Sequence, residues 1–265
     1  MKNRLVPLIF QILFLLIGIS PNLYGQPAGF GASLTNVTVS QIQWSGYTWN
    51  VRSVAGNPGS NNWASGTSNV WIDSEGNLHL KILKIGDKWS CSEISSVESF
   101  GYGEYTLQMR SRIDQLEKNI VFGFFIYKEN GVAVTPQENE IDIEFSRWNN
   151  NSNPNSQYCF QYREANANLN LITPYKFETK LYGNYSTHKF TWTKGTIQFQ
   201  SYHGNSANLP ADNYLITPAK IFSDTRVPIE KDEKVLLNLY LYQGIILTNQ
   251  KESEVIVKSF TFRKS

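Results

Sequence analysis

The chain has 265 residues, 41% of them hydrophobic and 17% charged, which gives enough apolar content for a sizeable core and too little charge for a disordered polyelectrolyte. The formal charge is +2 and falls to zero without Lys2 and Arg4. A neutral chain with no basic run excludes the clustered cations that a nucleic-acid backbone or an anionic membrane surface demands.

Residues 1–25 read as a secretory signal. Lys2 and Arg4 supply the positive start, Leu8 to Ile19 is apolar apart from Gln11, and Gly25 precedes a plausible cut at Gln26. Twelve helical residues span about 18 Å, short of a hydrocarbon core of about 30 Å. A short membrane anchor is the competing reading. No cysteine stands near the cut, which argues against lipid attachment. The expectation is a secreted or periplasmic protein, free of the membrane once the signal is removed, with residues 26–265 forming one domain.

From Leu78 onward the dominant period is two. Leu78, Leu80 and Ile82 alternate with polar residues, as do Tyr105, Leu107 and Met109. Gly101-Tyr102-Gly103 lacks the third glycine of a dinucleotide loop and reads as a turn into a strand. Asn119 to Tyr127 is almost continuously apolar, as for a strand covered on both faces. Asn130–Gly131 and Lys194–Gly195 are turn signals, and the Asn-rich stretch 149–155 is a loop. Phe190/Trp192, Ile197/Phe199, Val235 to Leu241 and Val255 to Phe262 complete the series. No helical pattern exceeds two turns, no fixed repeat occurs and no linker divides the chain. Many short antiparallel strands in one unit predict an all-β sandwich or jelly roll.

Familiar catalytic patterns are absent: no GxSxG, HExxH or P-loop occurs. The histidines His79, His188 and His203 are scattered, and Cys91 and Cys159 have no further ligand near them, so no metal site is expected. In an exported chain the two cysteines are compatible with a disulfide or with two buried thiols.

Glu140-Ile141-Asp142-Ile143-Glu144-Phe145 is the most informative segment. On a strand the three acids share one face and the three apolar residues the other. Asp and Glu are poor strand formers and adjacent like charges destabilise a sheet, so stability alone does not favour such a stripe. The Cα atoms of Glu140 and Glu144 would lie about 13 Å apart, and side chains leaning inward would bring the carboxylates to about 5 Å. That suits a retaining glycosidase, at ~5–5.5 Å, rather than an inverting one, at ~6.5–9.5 Å. Asp142 between them can hold a proton within the cluster, and mutual repulsion raises at least one pKa. Such a cluster titrates as a unit and predicts a bell-shaped pH profile. Two competing readings are the wet face of an edge strand and a set of calcium ligands, the latter spaced too evenly to wrap one ion unaided. Trp49, Trp63, Trp89, Phe100, Tyr102, Trp148 and Trp192 are candidate sugar-stacking rings, each also suited to the core.

With those residues placed, the chain resembles glycoside hydrolase family 16, the jelly-roll β-glucanases. The acidic segment matches the family signature. Phe100-Gly101-Tyr102-Gly103-Glu104-Tyr105, Phe124 to Tyr127 and His188-Lys189-Phe190-Thr191-Trp192 support it, and Asn238-Leu239-Tyr240 stands where the family usually has Asn-Leu-Trp. The resemblance implies Glu140 as nucleophile, Glu144 as general acid/base and Asp142 as assisting carboxylate. It implies sugar contacts at Phe100, Tyr102, Trp148, Trp192, His188, Asn238 and Tyr240. The single residue between Asp142 and Glu144 resembles the lichenase and xyloglucan-transferase branch, whereas a laminarinase-like branch carries one more residue as a bulge. Cys91 falls where lichenases place one disulfide cysteine, but the N-terminal partner is absent. The expected function is retaining endo-hydrolysis of a β-1,3-1,4- or β-1,3-glucan by a monomer that needs no cofactor, with nothing in the sequence to indicate a structural calcium. Transglycosylation and a non-catalytic lectin-like module are the alternatives.

Overall fold

The computed structural model describes residues 37–128, 139–162, 170–171, 174–206 and 211–265. The signal reading over residues 1–25 and the turn at Asn130–Gly131 lie outside them. Seventeen strands follow in chain order among the described residues: β1 (Gln41–Trp44), β2 (Tyr47–Val51), β3 (Val70–Ile72), β4 (Leu78–Ile85), β5 (Lys88–Ser90), β6 (Ser92–Ser99), β7 (Gly103–Arg110), β8 (Ile120–Tyr127), β9 (Asn139–Phe145), β10 (Ser156–Tyr162), β11 (Asn170–Leu171), β12 (Tyr175–Phe177), β13 (Tyr185–Thr193), β14 (Thr196–His203), β15 (Leu215–Ser223), β16 (Lys234–Leu241) and β17 (Ser253–Lys264). The remaining regular elements are single 3₁₀ turns. The expected all-β sandwich is what the chain forms.

Two antiparallel sheets stack. One runs β1-β2-β6-β16-β8-β9-β10-β11, with β12 also paired to β10; the other runs β15-β14-β13-β7-β17-β4-β3, with β5 paired to β4. Non-sequential neighbours such as β16 between β6 and β8 mark the long crossovers of a jelly roll. Alternation drives the layering. Tyr105, Leu107 and Met109 of β7 are buried while the residues between them are only partly covered. β8 lies in the middle of its sheet, and all but its last residue is buried, as its continuous apolar run predicts.

The interior is largely aromatic. Phe124 of β8 lies 5.5 Å from Phe190 of β13 and 6.2 Å from Phe260 of β17, and Tyr105 stacks on Phe190 at 4.6 Å. Tyr158 of β10 stacks on Phe199 of β14 at 4.8 Å. The Phe124 and Tyr158 pairs join the two sheets, the Tyr105–Phe190 stack braces neighbouring strands of one, and each fully buried ring contributes about 1.5–3 kcal/mol of burial free energy plus the edge or stacking term. The Lys194–Gly195 turn closes the β13–β14 hairpin, with Gly195 at φ +75°, a conformation a side chain disfavours. Gly101, at φ +73°, turns the chain into β7 as expected.

His188 belongs to this interior and not to a sugar site, which corrects the expectation. Its position on β13 aims the ring between the sheets, where it is 0% exposed and 4.7 Å from the Phe145 ring. Its two nitrogens meet the hydroxyls of Ser186 and Ser201, at 2.9 and 2.7 Å. Burial, aided slightly by the His203 charge, lowers its pKa from 6.5 to about 3. Trp192, also 0% exposed, donates from Nε1 to the Pro228 carbonyl at 3.0 Å. Tyr102 packs edge-on against Trp192 at 4.9 Å, and Phe100 packs at 5.0 Å against both Tyr47 and Phe262. These three rings likewise brace the core. Trp49 and Trp89 are buried in it too.

The histidine yields a stability prediction. Between pH 6.5 and about 3 the unfolded chain binds a proton at this residue that the folded chain refuses, so stability is present above 6.5 and lost as pH falls through that window. Wild type should lose stability relative to His188→Gln over that range, at about 1.4 kcal/mol per pH unit at most. Urea unfolding of both proteins at a series of pH values measures this difference.

Candidate active site

Strand β9 sits between β8 and β10, not at an edge, and pairs with both in unbroken register from Glu140 to Phe145. The wet-edge reading of its acids therefore fails. Ile141, Ile143 and Phe145 are fully buried toward the second sheet. Glu140, Asp142 and Glu144 consequently all face the other way, onto the floor of a cleft of about 1000 Å³. The register shifts recorded among the described strands fall elsewhere, in the β14–β15, β16–β6 and β17–β7 pairings. The acid stripe carries no bulge.

Cross-strand register assembles the rest of the floor in rows. Glu144 lies opposite Gly123 of β8 and Gln157 of β10, Asp142 opposite Phe125 and Cys159, and Glu140 opposite Tyr127 and Gln161. Asn238 of β16 faces Gly123, and Glu93 of β6 faces Asn238. Beyond them Arg52 pairs with Glu93 at 2.9 Å and lies 4.4 Å over the Trp63 ring. The Asn238 amide donates to Glu93 at 3.2 Å, while its Oδ1 is buried without a hydrogen-bond partner. Tyr240 lines the cleft with its ring 6.0 Å from Trp63.

The electrostatics follow from crowding in a partly dry cleft. Asp142 is only 3% exposed, and burial first, then the charges of Glu140 and Glu144, push its carboxyl well above the usual range. A hydrogen bond with Glu140 adds to the rise, and the Cys159 thiol, donating at 3.2 Å, opposes it. Glu144 is also raised, by burial, against the pull of the Gln157 amide that donates to it and of the Lys176 charge. Tyr240 is held neutral by burial and by the three carboxylates. The arrangement can therefore keep protons on buried carboxyls beside an acid that accepts them, the requirement for paired acid and nucleophile chemistry.

Of the expected sugar contacts, Asn238 and Tyr240 line the cleft. Trp148 is not among the residues that line it, and Lys176 of β12 sits 5.2 Å over its ring. His188, Trp192, Tyr102 and Phe100 are placed elsewhere, as described above. Arg52, Glu93, Phe125, Tyr127, Gln157 and Gln161 were not singled out by the sequence. Their signal was parity within each strand, which becomes usable only once the neighbours of β9 are known. Cys91 and Cys159 are both free and buried: Cys91 donates to Asn61 Oδ1 at 3.3 Å, and Cys159 faces the acids. Among the described residues no group of His, Cys, Asp and Glu is arranged to hold a metal ion.

An antiparallel jelly roll carrying a carboxylate stripe on a cleft floor defines a glycoside hydrolase. Residues 57–201 match the model for glycosyl hydrolases family 16, and the chain belongs to that family. It is 27% identical over 179 residues to a beta-glucanase from Paenibacillus macerans, a match covering 66% of this chain and 69% of that one. Its fold is similar to that of the Bacillus licheniformis beta-glucanase, with a TM-score of 0.60 at 20% identity over 87% of this chain and 95% of that one. It is similar also to a Bacteroides ovatus mixed linkage glucan family 16 enzyme in complex with a G4G4G3G product, with a TM-score of 0.60 at 16% identity over 81% and 94% of the two chains.

Gly123 shows how tightly the floor is built. A Cβ there would lie 2.6 Å from Asn238 Oδ1 and 3.3 Å from the Phe125 ring. Gly123→Ala should push the Asn238 amide off Glu93 while leaving the strand paired. The expected outcome is a loss of about 1.5–3 kcal/mol of stability, the weight of one hydrogen bond to a charged group, together with a fall in kcat/KM as Asn238 leaves its place in the cleft. Steady-state kinetics beside a thermal melt checks both.

Proposed function

We propose that this protein is a retaining, endo-acting hydrolase of β-1,3-1,4- or β-1,3-glucan. The observation that carries the reading is the placement of Glu140, Asp142 and Glu144 on one face of an unbroken, central strand at the floor of the cleft. The relative named a beta-glucanase and the similar structure bound to a G4G4G3G product support the substrate class. The cleft is lined by residues of β2, β6, β16, β8, β9 and β10. Five strand spacings make it roughly 24 Å across. A chain lying along it can occupy several sites at once, which suits attack inside a polymer. The enzyme in this reading is exported, works as a monomer and needs no cofactor.

The steps follow from the positions. Glu140 attacks the anomeric carbon as Glu144 gives its proton to the leaving oxygen, forming a glycosyl ester on Glu140. Burial, which holds the Glu144 pKa up, keeps that proton available. Esterification removes the charge on Glu140, so Glu144 and Asp142 lose a repulsive neighbour and ionise more readily. Glu144 then takes a proton from water as the water oxygen attacks the anomeric carbon, and the bond from that carbon to Glu140 breaks, giving a second inversion and freeing Glu140 as its carboxylate. Asp142, hydrogen-bonded to Glu140, holds the nucleophile in place and keeps a proton within the cluster. A lectin-like module has no use for three crowded carboxylates on its binding face.

Mixed-linkage glucan and laminarin should release reducing ends with wild type, while Glu140→Gln falls to background and Glu144→Gln loses roughly 10²–10⁴-fold. Proton NMR of the first product should show the β-anomer before mutarotation. An α-anomer would show inversion, and products longer than the donor when an acceptor oligosaccharide is added would show glycosyl transfer instead of hydrolysis.

A further inference from the structure

We infer that Cys159 is a positioning residue for the acid cluster, its thiol fixing the orientation and the proton of Asp142 through the cross-strand hydrogen bond. The inference rests on the proposed catalytic reading of the stripe and adds a residue to it. Cys159 is the direct partner of Asp142 in the β9–β10 ladder, and it is 1% exposed. Its Sγ donates to Asp142 Oδ2 at 3.2 Å, while the carboxyl of Asp142 also hydrogen-bonds with Glu140. Asp142 is thus held from two sides, and the strand that supplies the thiol is the one that supplies Gln157 to Glu144.

A thiol suits this place because it is small and remains a neutral donor. Burial, followed by the Asp142, Glu144 and Glu140 charges, pushes its own pKa well above the usual 9.0, so it stays S–H while the carboxyls titrate. A donor to the charged form of a carboxyl favours that form, which opposes the burial and repulsion that raise Asp142. The other groups around Asp142 are Glu140 and Glu144 on its own strand and Tyr240 on β16, while the β8 residue opposite it is the uncharged Phe125 and Tyr127 lies opposite Glu140. Lys176 on β12 acts on Glu144, and Glu93, Arg52 and Lys234 are the remaining charged cleft residues. None of these is altered by replacing the thiol.

The test is a pair of variants in the full chain. Cys159→Ala removes the donor, and Cys159→Ser restores one. With mixed-linkage glucan as substrate, Cys159→Ala should move the alkaline limb of kcat/KM downward by up to about one pH unit, because an Asp142 that keeps its proton repels the Glu144 charge less, and Cys159→Ser should move it back. In an Asp142→Asn background the alanine change should shift nothing further, because the pair it breaks is already gone. Carbon-13 NMR titration should report the Asp142 carboxyl itself moving upward by about half to one pH unit in the resting protein, the weight of one hydrogen bond. This arm needs no turnover, so it decides the inference even if wild type fails to hydrolyse glucan. Should Cys159→Ala not fold by circular dichroism, Cys159→Val fills the space without a donor and must show the same shift. A limb and a carboxyl titration unchanged between wild type and the donor-free variant would overturn the role assigned to Cys159.

Discussion

Everything at the site depends on the burial of Ile141, Ile143 and Phe145. Their fully covered side chains tie one face of β9 to the second sheet, and the period of two leaves the three carboxylates only the opposite face. A one-residue slip of this strand would put three charges into an aromatic core, a cost of many kcal/mol that no rearrangement could recover. The register of the stripe is therefore fixed by hydrophobic burial, not by any attraction among the acids, which repel one another.

A central strand also lacks the water that an edge strand would offer its charges. With β8 and β10 on either side, Asp142 and Glu144 are shielded, and burial leads the causes that raise both. The surroundings then divide the work. Gln157 and Lys176 favour a charge on Glu144, Cys159 favours one on Asp142, and the hydrogen bond with Glu140 favours a proton on Asp142. The protonation pattern is thus a balance of weak terms set by three neighbouring strands, and single substitutions can move it without disturbing the fold.

The aromatic residues carry a second division. Rings on the inner faces, such as Phe124, Phe190, Tyr105 and Trp192, hold the sheets together. Tyr240 of the cleft and its core neighbour Trp63 are themselves buried, with Arg52 lying over Trp63 and tied to Glu93. That end of the floor is a chain of polar and stacking contacts running from Trp63 through Arg52 and Glu93 to Asn238. It fixes the Asn238 amide so that Oδ1 remains without a protein partner.

Local chemistry was readable along the chain. Alternation in β4, β7, β9 and β16, the continuous apolar run of β8, the glycine turns at Gly101 and Gly195, and the placing of Glu140, Asp142 and Glu144 on one strand face all follow from residue order. These depend on neighbours one or two positions apart, where strand geometry alone dictates direction. What residue order could not decide was which strands lie beside which. Whether β9 is central, whether His188 and Trp192 point to sugar or to core, and whether Cys159 meets Cys91 or Asp142 are settled by pairings between distant segments. An aromatic or a histidine on an alternating strand reads the same from either face. Only the stacking of the two sheets makes one face of β13 interior and one face of β9 the floor of a cleft.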